Sequence, residues 1–148
     1  MCWRNRDSFS VTIVTEPITV YKVVRIKGKR IYSWFHEDYE YQLNECQHSS
    51  ISLDWNCLEH FIIDNGFHSY AKKPKVLDYP EELELCGLIV PSEGYQIPYT
   101  SRYGSVIECQ IPKDAIYAIN DSGEIVSNLI IPIRIVPLEE LNHEKAKF

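Results

Sequence analysis

An α+β domain built on a mostly antiparallel sheet is the fold class this sequence predicts. Runs rich in β-branched residues fill the first and last thirds of the chain, and two stretches between them carry helix-end chemistry. Strands, then helices, then strands is the order of an α+β domain. With 148 residues, 45% of them apolar, one domain over 1–148 is expected. Such a chain buries about two-thirds of the surface it exposes when unfolded, so it needs no disulfide or metal to fold.

Ile18-Thr-Val-Tyr-Lys-Val-Val-Arg-Ile26 reads as a long strand because its β-branched side chains suit a pleated surface. Phe9 to Thr15 is expected to pair with it. Lys27-Gly28-Lys29 is a tight turn into Arg30 to Phe35, and Tyr39 to Leu43 alternates as a half-buried strand does. A helix is predicted over 54–65: Asp54 can cap it, Gly66 can end it, and Trp55, Leu58, Phe61 and Ile62 share a helical face. A shorter helix is predicted over 79–86, with Pro80, Glu81 and Glu82 in its first turn. Ser105 to Ile111 alternates cleanly, Ala115 to Ile119 is a short strand, and Asn120 to Gly123 has turn chemistry. Glu124 to Val136 reads as one or two strands, with Pro132 at an edge or bulge. Residues 137–148 read as a short helical or frayed tail.

The composition excludes several classes. Aromatic residues at 12% are too much ring surface for a disordered chain. The most apolar run, Leu129 to Val136, is broken by Pro132 and Arg134 and falls short of the roughly 20 residues that span a bilayer. Ser8, Ser10 and Thr12 interrupt any secretion signal, so a cytoplasmic protein with no membrane partner is expected. Five cysteines, Cys2, Cys46, Cys57, Cys86 and Cys109, are an odd number at irregular spacings, which reads as free thiols.

Charge is the most informative feature. Lys22, Arg25, Lys27, Lys29 and Arg30 fall within nine residues that hold no acid, in a chain of net charge −6. Tyr21, Tyr32 and Trp34 are interleaved with them. Lys72, Lys73 and Lys75 follow Phe67, His68 and Tyr70, and Arg102 sits in a polar loop. Cations that neutralise phosphate beside rings that stack on bases are what a nucleotide pocket needs. An acidic chain with a local basic run suits a small anionic ligand better than long nucleic acid. The expected ligand-binding set is Lys22, Arg25, Lys27, Lys29, Arg30, Phe67, His68, Tyr70 and Arg102, with Arg25 its best single member. The competing reading is a solvated charged face.

Other chemistry is thinly signalled. Cys46, His48, Cys57 and His60 are the one set with metal-ligating residue types, at unusual spacing; no metal and no cofactor is expected. There is no GxSxG, P-loop, HExxH or GxGxxG pattern, so no catalytic residue is assigned.

Two blocks resemble known sequences. Gly66-Phe-His-Ser-Tyr70, and Val106 to Tyr117 followed by Gly123 to Asn128, are similar to small uncharacterised proteins of bacteriophages and prophages. The resemblance implies a phage accessory protein in a host cytoplasm, and by analogy of size one that sequesters a nucleotide signal of bacterial immunity. Arg25, Ser69 and Glu124 more loosely resemble the layout of ADP-ribosyltransferases, which implies an alternative enzymatic role. A second alternative is an acidic inhibitor that blocks a host protein through Glu81, Glu82 and Glu84. The leading expectation is a non-enzymatic protein that holds a small phosphorylated ligand such as a nucleotide, with room for a homo-oligomer.

Overall fold

A computed structural model of the chain describes residues 3–4, 9–34, 39–49, 52–55, 61–64, 66–78, 88–90, 104–120 and 123–145. The described strands are β1 (Trp3–Arg4), β2 (Phe9–Ile13), β3 (Ile18–Lys27), β4 (Arg30–Ser33), β5 (Glu40–Tyr41), β6 (Gln47–His48), β7 (Ser52–Trp55) and β8 (Phe61–Asp64). They continue as β9 (Phe67–Tyr70), β10 (Lys75–Asp78), β11 (Leu88–Val90), β12 (Gly104–Ile111), β13 (Ile116–Asn120), β14 (Glu124–Ser127), β15 (Leu129–Val136) and β16 (Asn142–Lys145).

The α+β expectation is overturned. The described chain is nearly all β and mostly antiparallel, and its helical content is one 3-10 turn, Leu138–Glu140. Where a helix was predicted over 54–65, β7 and β8 form an antiparallel pair, with Leu53 opposite Ile63 and Trp55 opposite Phe61. Apolar residues three and four apart fit a short strand pair as well as a helix, and β-branched Ile62 and Ile63 favour the strand. β1 also pairs with β8, placing Trp3 opposite Ile63. Residues 56–60 and the helix predicted over 79–86 lie outside the described residues. Nor is 137–145 a helical tail: β16 runs parallel to β10, with Val76 opposite His143. Among the described residues, no helix is long and apolar enough to cross a membrane.

Ten strands form the main sheet, in the order β2-β13-β14-β9-β3-β12-β15-β6, with β4 and β5 continuing off β3. β2 was expected to pair with β3; it pairs instead with β13, Ile13 opposite Ile116. β12 lies along β3 from Ile111 opposite Ile18 to Gly104 opposite Arg25. Pro132 sits opposite Cys109, where the β12–β15 register shifts after Glu108. A bulge is where a strand tolerates a residue with no N–H to give.

The alternation of β3 creates two cores. Val20 and Val24 face a cluster with Ile107, Cys109, Ile111, Ile125 and Ile130, all buried. On the other face, Tyr21 and Val23 pack against Val76, Ile89, Val106, Val136 and Leu141. Apolar residues on both faces explain why the apolar side chains of 18–26 occupy both parities of the strand instead of alternating with polar ones. Arg25 and Lys27 follow Tyr21 and Val23 on the second face.

Candidate ligand-binding face

β3 and β4 form a hairpin across Gly28 and Lys29, with Lys27 opposite Arg30 and Arg25 opposite Tyr32. Gly28 has φ +63°, the left-handed conformation that a two-residue loop of this kind needs and a side chain resists. Because the register is set by that loop, Arg25, Lys27, Tyr32 and Trp34 share one face. The Arg25 guanidinium carbon lies 4.4 Å from the centre of the Trp34 ring, and Lys27 Nζ lies 5.8 Å from that of Tyr32. Further along the same strand, Lys73 Nζ is 5.9 Å from the Tyr21 ring. Cations over ring faces are attracted by the ring quadrupole, so each pair is held while the charge stays near the surface.

The other edge of β3 is shared. β9 meets it at Tyr21 opposite Tyr70, and β4 takes over from Val24 opposite Ser33. Val23 therefore marks a seam between the two strands. Lys22 points to the core side of the seam, where its ammonium donates to the His68 backbone carbonyl and lies 5.4 Å from the Tyr41 ring. Tyr39 packs edge to face on Tyr41 and on Phe67, and Tyr41 is tilted against Phe67, with ring centres 5.0–6.4 Å apart.

The outer side of the seam holds a titratable group. Glu124 stands opposite Tyr70 on β14, and its carboxylate is 3.8 Å from His68 Nδ1. Burial lowers the His68 pKa from its ordinary value, and the charge of Lys22 lowers it further, while Glu124 opposes both. Burial, with Glu124 behind it, pushes the Tyr70 phenol up to about 12. On the core face, burial pushes the Cys109 thiol up to about 12, so it is an inert hydrophobe rather than a nucleophile.

No family model, curated protein or solved structure matches this chain.

The residues expected to bind a ligand are thus divided between two faces. Arg25 and Lys27 share the outer face of β3, and Lys29 and Arg30 are exposed at the hairpin end. Lys22 and Phe67 are buried on the core side, so Phe67 packs against tyrosines instead of offering a stacking platform. His68 and Tyr70 lie on the outer face beside Glu124. Arg102 lies outside the described residues, as do Glu81, Glu82 and Glu84. Trp34 and Tyr32 are missing from the expected set. The sequence signal for them was the hairpin itself: a two-residue loop at Gly28-Lys29 places residue 32 opposite 25. The transferase-like trio is split too. Ser69 pairs with Ile125 and is buried, so it faces away from Glu124. Cys46 is a free, exposed thiol, while Cys57 and His60 lie outside the described residues.

Proposed function

We propose that the chain is a non-enzymatic binding protein for a small phosphorylated ligand such as a nucleotide, held on the outer face of the β3–β4 hairpin. The observation that carries this reading is the stacking of Arg25 on Trp34. An ordered guanidinium grips phosphate bidentately at lower entropic cost than a mobile one. Lys27 adds a second positive charge one pleat further along, beside the ring of Tyr32. Lys29 and Arg30, at the tip, add long-range attraction for an anion. The acidity of the rest of the chain supports a local site and disfavours a long polyanion. If the phage resemblance holds, the ligand is an immune nucleotide signal and the protein acts by sequestering it.

Thermal shift with mono-, di- and cyclic nucleotides, NAD and inorganic phosphate tests the reading. At least one phosphorylated ligand should raise the melting temperature. Arg25→Ala should weaken its binding by roughly ten- to a hundredfold, the worth of one charge-assisted contact. If no phosphorylated ligand shifts the melting temperature, or if affinity survives both Arg25→Ala and Trp34→Ala, the basic run is a solvated face.

A further inference from the structure

We propose that Lys22 and Ser69, on the core side of the seam between β4 and β9, hold a small monovalent anion of the halide or carboxylate class. This site is distinct from the outer face that carries Arg25, because Lys22 and Arg25 project from opposite sides of β3.

Two separate observations point to it. The first is an uncompensated charge. Lys22 is 7% exposed, and among the described residues no carboxylate pairs with it. Its ammonium has three N–H donors; the His68 carbonyl takes one, and the Tyr41 ring offers only a π face. Cys109 is on the same face of the sheet, but its thiol stays protonated and supplies no negative charge. Burying a charge is costly unless something pairs with it.

The second observation is Ser69. It is completely buried, and its hydroxyl has no hydrogen-bond partner among the described residues. Buried hydroxyls are normally satisfied. Ser127, equally buried on the neighbouring strand, donates to the Leu129 carbonyl at 2.9 Å. Ser69 directly follows His68, whose carbonyl Lys22 holds, and it shares the core face with Lys22. Two N–H donors of Lys22 and the O–H of Ser69, on one face of adjoining strands and without an acceptor among the described residues, select an anion. A cation would meet the ammonium charge, and a water would leave that charge uncompensated. Val20 and Val24 flank Lys22 on its face of β3, Ile107 stands opposite it on β12, and all three are fully buried, which favours a small ion with a single charge.

The test is the melting temperature of the full chain at neutral pH and constant ionic strength, with sodium bromide or sodium formate replacing sodium gluconate. A saturable rise of about 2–5 °C is expected with the small anions. Lys22→Met should abolish the dependence, and Ser69→Ala should raise the half-saturating concentration several-fold. Broadening of the bromide NMR signal by the wild type, lost in Lys22→Met, should report the same site directly. A rise with formate alone would assign the site to carboxylates; a rise with both would assign it to small anions generally. The proposal is overturned if the wild type shows no saturable dependence, or if Lys22→Met keeps it. Should Lys22→Met fail to fold, an unchanged titration in Ser69→Ala overturns it instead. Inorganic phosphate responding to Arg25→Ala but not to Ser69→Ala would keep the outer-face reading separate from this one.

Discussion

Tyr21 of β3 stands opposite Tyr70 of β9, and that rung is the one described position at which these two strands pair. That pairing is short, and it leaves a seam in the sheet. Beyond it β9 leaves the edge of β3, β4 takes over, and the backbone between them needs partners that the ladder does not supply. Lys22 supplies one by capping the His68 carbonyl. The seam thus lies where Lys22, Arg25 and His68 meet near the middle of the sheet.

Acid should weaken the fold through His68. Burial lowers its pKa in the folded state, so below about pH 6.5 the unfolded chain binds a proton that the folded chain resists. Stability should fall as the pH drops below that value and stop falling once it passes the folded pKa. Urea denaturation at a series of pH values should show this slope. His68→Asn should flatten it, and an unchanged slope would assign acid sensitivity to other groups.

Cys109 should resist alkylation while Cys46 reacts. Cys46 is exposed, whereas Cys109 is buried with its thiol pushed up to about 12, which leaves roughly one thiolate in ten thousand at pH 8. Mass spectrometry after iodoacetamide treatment should find Cys46 modified within minutes. Cys109 should be modified only after denaturant is added.

The attachment of β16 should depend on Leu141 far more than on its ion pairs. Lys75 meets Glu144 at 2.6 Å and His143 meets Asp78 at 3.1 Å, but these groups are partly or largely solvated. Exposed pairs are worth about 0–1 kcal/mol. Leu141 is 3% exposed and packs with Val76, Ile89, Val106 and Val136. Leu141→Ala should cost about 2–5 kcal/mol by chemical denaturation, and Glu144→Ala less than about 1. Equal losses would contradict this ranking.

Glycines at left-handed positions should tolerate Asn better than Val. Gly66 has φ +88° between β8 and β9, and its N–H donates to Ser49 Oγ at 3.2 Å. The glycine was expected there as the end of a helix; the conformation is the expected one, and the element it follows is a strand. Gly66→Ala should cost about 1 kcal/mol or more, and Gly66→Asn less. Equal unfolding midpoints for wild type and Gly66→Ala would remove the need for that conformation.

Where local pattern and tertiary pairing agree, the elements were legible. β3 begins at the expected Ile18, β12 ends at the expected Ile111, and the turn at Gly28 closes the expected hairpin. The break within 124–136 falls at Asn128, whose side chain accepts from the Ile116 N–H at 2.8 Å. The predicted helix failed because Trp55, Phe61 and Ile62 satisfy two periodicities at once, and the pairing of β8 with β7 and with distant Trp3 and Arg4 decides between them. β16 failed because Asn142 to Lys145 is polar and exposed; nothing local marks it as a strand. At the site, the positive run was visible but its division was not. Alternation alone separates Lys22 from Arg25 and Lys27, yet which face is interior depends on β12 and β9 lying beside β3.

Tyr21 and its partner Glu108 lie 87 positions apart in the chain, and that separation governs how the molecule is made. At about 5–20 residues per second, β12 leaves the ribosome some 4–17 s after β3 does. Through that interval a ten-residue strand rich in valine and isoleucine waits with its longest edge open to any passing chain. Lys22, Arg25 and Lys27 then act as gatekeepers, since their charges oppose stacking of one nascent copy on another. The same cations that mark the mature sheet thus protect its assembly, and neutralising the exposed Lys27 together with Arg25 should lower soluble yield, read as the fraction of chain recovered in the supernatant on expression.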